Sequence, residues 1–220
     1  MIEAAAALVL SYFLGSFPTS IVVGKLFYHK DIRTEGSGNA GGTNTFRVFG
    51  WKAGVLVVLI DVGKGVAATL LVSRLAAGVP LPLDAVRLAC GTAATIGHVW
   101  TIFAGFRGGK GVAAAAGTLA AVAPLPFLAA LAAFALGILS TGIVSVGSLS
   151  AAAVFPLSAL AFRAAGLPIS NVLLSFSFLL APLIVWTHRK NIGRLIRGEE
   201  NRFEKLRILR GFFGNKGPRS

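Results

Sequence analysis

Long uncharged stretches separated by short polar loops set the character of this chain. Runs of about 20 apolar residues, the length a helix needs to cross a bilayer, fall near residues 4–26, 53–74, 85–104 and 169–187. Residues 112–163 are almost uncharged and too long for two comfortable spans. Pro124 with Pro126, and Ser140-Thr141-Gly142, are the natural breaks there, because proline and glycine end helices. Three helices result, the first of them short. The pattern predicts an all-α polytopic membrane helix bundle of about seven transmembrane helices. The opening MIEAAAALVLSYF lacks the basic residues that precede the apolar core of a signal peptide, so it reads as a retained first span.

Composition agrees with a bilayer environment. Apolar residues make up 55% of the 220, charged residues 13%, and mean hydropathy is +0.78. A net charge of +13 would suggest a nucleic-acid partner if it coated a surface, but the cations gather in loops and in the tail, so none is expected. With the N-terminus outside, 17 lysines and arginines fall on one side. Arg74, Arg87 and Arg163 fall on the other, and Lys64 lies within a span. The positive-inside bias therefore predicts a cytoplasmic C-terminus, with the basic loops on the same face. Cys90 sits alone in an apolar stretch and allows no disulfide framework.

Three polar segments share that face. The first, Arg33 to Arg47, reads RTEGSGNAGGTNTFR. Glycines such as Gly36, Gly38 and Gly41 let a backbone approach a ligand closely, Ser37, Asn39, Thr43 and Asn44 add polar groups, and Arg47 adds fixed charge, which together suit a phosphate or an acyl phosphate. The spacing of Gly36, Gly38 and Gly41 also fits a dinucleotide fingerprint, but no strand precedes it. The second, Gly105-Phe106-Arg107-Gly108-Gly109-Lys110-Gly111, directly precedes an alanine-rich helix. A helix N-terminus beside Arg107 and Lys110 makes an anion trap. It fails as a P-loop, since Ala104 stands where the first glycine belongs and Gly111 follows the lysine. The third, His188-Arg189-Lys190-Asn191-Ile192-Gly193-Arg194, closes the last span. Its cations read equally as an anchor in anionic headgroups, whereas His188 and Asn191 stand three apart, on one helical face.

GSFPTS, GSGNAGGTN, FRGGKGVA and THRKNIGRLIRGEENRF, in that order, together resemble the bacterial acyl-phosphate:glycerol-3-phosphate acyltransferase family over roughly residues 1–203. The resemblance implies a seven-span enzyme of the bacterial inner membrane. It would act on its cytoplasmic face, making lysophosphatidic acid from glycerol 3-phosphate and acyl phosphate. Its motifs assign Ser37, Asn39, Thr43, Asn44, Arg47, Lys110, His188 and Asn191 to the site. Departures are mild: Gly42 stands where alanine is frequent, and Ala114 with Ala115 where GGKGVAT would place threonine.

The residue chemistry is compatible with that assignment. Acyl phosphate carries a good leaving group, so an alcohol can attack it without an acyl-enzyme, provided positive charge and orientation surround the phosphates. The positions five after His29, His98 and His188 hold Thr34, Phe103 and Gly193, so the H-x-x-x-x-D pair of acyl-CoA-type acyltransferases is absent. A G-x-S-x-G elbow is absent around Ser37 as well. His188 fits a general base or a hydrogen-bond donor to phosphate, and the substrate's own phosphate is the alternative proton acceptor. Asp61 and Lys64, three apart in the second span, read as a structural ion pair or as the floor of the site. His98 reads as a satisfied interfacial histidine. Neither metal nor cofactor is expected, because no cluster of ligating side chains has suitable spacing. Glu200 is a possible brace, and Trp51, Trp100 and Trp186 suit an interfacial belt. Ala113, Gly117 and Ala121 offer a small-residue face. Residues 1–200 read as one catalytic domain and 201–220 as a basic tail, with Phe203, Leu206, Leu209 and Phe213 at near-helical spacing for an amphipathic helix on the leaflet. Two rival classes are an organic-phosphate transporter, which no internal repeat supports, and a phospholipid-binding or scaffold protein, which would explain the basic tail but not three convergent motifs. Oligomeric state is left open.

Overall fold

A computed structural model describes residues 1–209; Arg210, Phe213 and the terminal NKGPRS lie outside the described residues. Among the described residues there are ten α-helices and no strand. They are α1 (Ile2–Ser16), α2 (Thr19–Tyr28), α3 (Gly42–Phe49), α4 (Trp51–Leu70), α5 (Leu83–Val99), α6 (Val112–Val122), α7 (Pro124–Thr141), α8 (Val144–Ala164), α9 (Asn171–Thr187) and α10 (Arg189–Ile196). Each apolar segment expected from the sequence is helical. By length and composition, however, four among the described residues are able to cross a membrane: Ile2–Tyr28, Trp51–Ala76, Pro124–Thr141 and Val144–Ala164. A fifth is α9 with α10, if that pair, bent by 61°, counts as one span. The 17 residues of α5 and the 11 of α6 fall short.

The chain divides into two compact units. Unit 1 comprises Met1–Pro124 and Ser170–Phe176. Its first span is broken rather than continuous. Pro18 has no N–H and disfavours helical backbone at the residue before it, and Phe17 accordingly adopts φ −58°, ψ 117°. The third span is also shorter than expected, because α5 stops at Val99 and a 3-10 turn, Ile102–Ala104, follows. Glycines bring helix backbones together in this unit. A methyl group at Gly15 would collide with Ala94 of α5, one at Gly65 with Ala114 of α6, and one at Gly117 with Val62 of α4. The buried residues of α6 are Ala114, Ala115, Gly117, Thr118 and Leu119, whereas Ala113 and Ala121 of the expected stripe are half-buried.

Unit 2 comprises Leu125–Ile169 and the chain from Ser177 onward. Gly137 of α7 faces Gly147 of α8 with no room for a Cβ, and Gly142, at φ +73°, turns one helix into the next. The segment after Gly198 straps onto that turn. Phe203 N–H donates to the Gly142 carbonyl at 2.7 Å and Leu209 N–H to that of Leu139 at 3.0 Å. The amphipathic helix expected through Phe203, Leu206 and Leu209 is therefore replaced, as far as Leu209, by a 3-10 turn at Glu204–Leu206. The Phe203 and Leu209 donors go to the end of α7 and its turn, while Leu206, Arg207 and Ile208 donate within the segment.

Candidate active site

The first glycine segment is half loop and half helix. Thr43, Asn44 and Arg47 project from α3 rather than from an irregular loop. Asn44 is buried at its start and works as a hub. Its Oδ1 accepts the Ser37 N–H at 2.9 Å, and its Nδ2 donates to the carbonyls of Glu35 at 2.9 Å and Ile32 at 3.2 Å. Both amide hydrogens are thereby committed to the loop, so Asn44 shapes the cradle from within. Gly36, at φ +57°, has no room for a side chain because a Cβ would meet Asn44 and Val48. The Arg33 guanidinium grips the Asp31 carboxylate with Nε at 3.1 Å and Nη2 at 2.8 Å, and Nη1 reaches the Ala104 carbonyl at 3.0 Å. That charge-assisted hydrogen bond holds the Asp31 carboxyl down to about 2. Gly36, Ser37 and Gly38 are exposed, while Asn39, Thr43 and Arg47 are half-buried and Gly41 is buried.

The second glycine segment hangs from the end of α5. Gly108 N–H donates to the Val99 carbonyl at 3.1 Å and Gly109 N–H to that of His98 at 3.0 Å. These two amides, expected to face phosphate, thus satisfy carbonyls that the helix end leaves without helical partners. Arg107 is exposed, Lys110 is half-buried, and Gly111, at φ +81°, caps the N-terminus of α6.

A small, narrow cleft opens between the segments, lined among others by Thr19, Ser20, Ala40, Asp61, His98 and Gly109. The GSFPTS segment, both glycine segments and the buried carboxylate of α4 therefore converge within unit 1. Asp61 and Lys64 form the expected ion pair at 2.7 Å. Lys64 also donates to the Phe17 carbonyl, and the Thr19 hydroxyl donates to Asp61 at 2.8 Å. His98, read as a satisfied histidine, has a buried carboxylate beside it. The histidine is itself buried, and its Nδ1 lies 3.7 Å from Asp61 Oδ1. Its only trace in the sequence was its place seven residues before the Gly105–Gly111 segment.

In unit 2, His188 stands at the bend between α9 and α10, so it and Asn191 do not share one straight helical face. The ring is buried, and its Nδ1 lies 2.8 Å from the Ile184 carbonyl. A carbonyl only accepts, so Nδ1 carries a proton directed at it. Asn191 Nδ2 donates to Glu200 at 2.9 Å, and Arg194 Nε donates to the same carboxylate at 2.8 Å. Glu200 is thus a brace for Asn191. Arg189 stacks on Trp186 at 4.2 Å, an anchoring contact at the helix end.

Residues 5–198 match the family model described as glycerol-3-phosphate acyltransferase. Proteins named glycerol-3-phosphate acyltransferase from Chlorobaculum tepidum and Chlorobium chlorochromatii are each 45% identical to this chain, covering 92% of it and 97% of the relative. A crystal structure of PlsY (YgiH), an integral membrane glycerol 3-phosphate acyltransferase, in its glycerol 3-phosphate form superposes with a TM-score of 0.82 at 34% identity, over 94% of this chain and 98% of that one. The lysophosphatidic acid form of the same enzyme gives 0.80 at 33%. The chain belongs to the glycerol-3-phosphate acyltransferase family of integral membrane enzymes.

Proposed function

We propose that this enzyme transfers an acyl group from acyl phosphate to the 1-hydroxyl of glycerol 3-phosphate, giving lysophosphatidic acid and inorganic phosphate without an acyl-enzyme. The observation that carries the reading is the convergence of GSFPTS and both glycine segments on one cleft. The similar PlsY structures, in glycerol 3-phosphate and lysophosphatidic acid forms, supply acceptor and product. The hydroxyl oxygen attacks the carbonyl carbon, and the bond from that carbon to the phosphate oxygen breaks. Phosphate leaves with the electron pair. Ser37, Thr43, Arg47 and Lys110 take the role of holding phosphate oxygens and offsetting the charge that develops on them. The hydroxyl proton goes to His188 Nε2 or to a phosphate oxygen of the substrate itself, with Asn191 as a further donor.

The donor reading rests on the missing H-x-x-x-x-D pair. An acyl thioester needs that activation, whereas a mixed anhydride does not. The arrangement proposed for the membrane is seven spans with the N-terminus outside and the three polar segments on the cytoplasmic face of the inner membrane, supported by the placement of lysine and arginine. Residues 1–200 form the catalytic domain in this reading, and 201–220 a basic cytoplasmic segment.

The test is product formation by purified protein given glycerol 3-phosphate with either palmitoyl phosphate or palmitoyl-CoA. Turnover with the phosphate, with one inorganic phosphate released per product, is expected, and little or none with the thioester. Robust use of palmitoyl-CoA overturns the mechanism. Passage of glycerol 3-phosphate across vesicles without acylation would favour a transporter.

A further inference from the structure

We propose that Asp61 and His98 are positioning residues for the second glycine segment: Asp61 orients the His98 ring, and the ring is the seat on which Gly109, and through it Lys110, is set. This rests on the phosphate-binding role given to Lys110 above and extends it to two residues that role does not use.

Asp61 and Lys64 are 2% and 4% exposed in an apolar span. Ionisable groups at such depth persist when paired, and they commonly mark function. Part of their presence has a local cause. The break at Pro18 strips the Phe17 carbonyl of its helical partner, and Lys64 donates to it. Asp61 in turn compensates the lysine and accepts from Thr19. That arrangement is complete without a histidine, yet His98 Nδ1 sits 3.7 Å from the same carboxylate oxygen.

What the histidine carries is the loop. Its carbonyl accepts the Gly109 N–H at 3.0 Å. Its ring lies so close to Gly109 that a methyl group there would collide with Nε2, and on another side the Ala40 carbonyl would be 2.9 Å from that methyl. Gly109 is thus enclosed between the ring and the first glycine segment, and its place follows the ring. Lys110 is the next residue in the chain, so a displaced ring becomes a displaced ammonium group. A misplacement of about 1 Å in a positioning group costs on the order of 10²-fold in rate.

A purely structural role leaves a different signature. Lost stability lowers the folded fraction, and with it apparent kcat, at unchanged KM; a misplaced lysine weakens the hold on phosphate and raises KM for glycerol 3-phosphate. The experiment is steady-state kinetics of the full chain with palmitoyl phosphate and varied glycerol 3-phosphate. The variants are His98→Ala, His98→Gln, Gly109→Ala and the double variant His98→Ala/Gly109→Ala. His98→Ala is expected to raise that KM by about tenfold or more, and His98→Gln, which keeps an N–H for Asp61, to recover part of it. Gly109→Ala should cost less in the His98→Ala background than alone, because the ring it strikes is gone. An unchanged KM in His98→Ala, or losses that simply multiply in the double variant, overturns the proposal. Should His98→Ala not fold, His98→Gln and Gly109→Ala still decide it: normal KM in both overturns it, and raised KM in both supports it. Wild-type inactivity with palmitoyl phosphate would sink the donor reading alone. Calorimetric binding of glycerol 3-phosphate to the same variants would then read the positioning claim.

Discussion

The two glycine segments of unit 1 reach similar ends with different materials. The first is organised by side chains: the Asn44 amide gathers residues 32–37 through three hydrogen bonds, and Arg33 ties Asp31 to Ala104. The second is hung by its backbone, with Gly108 and Gly109 donating to the last carbonyls of α5. A loop built around one amide can be dismantled by one substitution that touches none of its glycines. A loop hung from a helix end instead inherits the position of that end, and of whatever packs beneath it.

The largest expected effect concerns the cations these two constructions present. Arg47→Ala and Lys110→Ala should each lower kcat/KM by about 10²- to 10³-fold, as for removal of a preorganised charge-stabilising donor. Arg163→Ala, at the end of α8 in unit 2, should stay within about twofold. Product formation under identical conditions measures all three, and equal losses would break the assignment of both segments.

The next effect separates the segments. Asn44→Ala leaves the Ser37 amide without its acceptor and takes one donor each from the Glu35 and Ile32 carbonyls, which keep the Gly38 and Glu35 N–H groups, a total cost of about 1–3 kcal/mol. Thermal unfolding should shift down and activity should fall with it. Asn44→Asp keeps the acceptor for Ser37 but loses both donors, and should fall between. If Asn44→Ala were silent in both measurements, the hub would have no energetic meaning.

The smallest is an effect of pH. The Asp31 carboxyl is held down to about 2 by Arg33, below the ordinary carboxylate of the unfolded chain. Stability from the pair is therefore fully present above pH about 4 and is lost as pH falls through about 2. Asp31→Asn should cost about 1 kcal/mol at neutral pH. Its unfolding midpoint should close on that of the parent as pH falls from about 4 and meet it below pH about 2, and a gap that persisted there would exclude the ion pair as its source.

Much of this arrangement was legible because its signals are local. Hydrophobic run length placed each apolar helix, Pro124 and Gly142 marked the breaks around α7, and the i, i+3 spacing of Asp61 and Lys64 implied their contact. What was missed depends on partners distant in the chain. Nothing near His98 announces Asp61, 37 positions earlier, and nothing in the stretch after Gly198 announces that the Phe203 and Leu209 donors go to the end of α7 and its turn. Asn44 misled for another reason. An amide among glycines has the composition of a ligand site, and its hydrogen bonds inward are invisible until the chain is folded. The bend at His188 was masked by the apolar run before it and the basic run after it, which together look like one helix leaving a membrane.

The break at Phe17–Pro18 also has a consequence in time. Its carbonyl accepts from the Thr19 N–H at 2.9 Å and from Lys64, 47 residues further along the chain, and synthesis at about 5–20 residues per second brings the second donor roughly 2–10 seconds after the kink. During that interval the Phe17 carbonyl has the Thr19 N–H alone, and the Thr19 hydroxyl lacks the Asp61 carboxylate it later meets. The first span therefore gains its full set of polar partners only when α4 arrives. The order in which the ribosome delivers these helices thus decides when the polar kink of the first is fully paired.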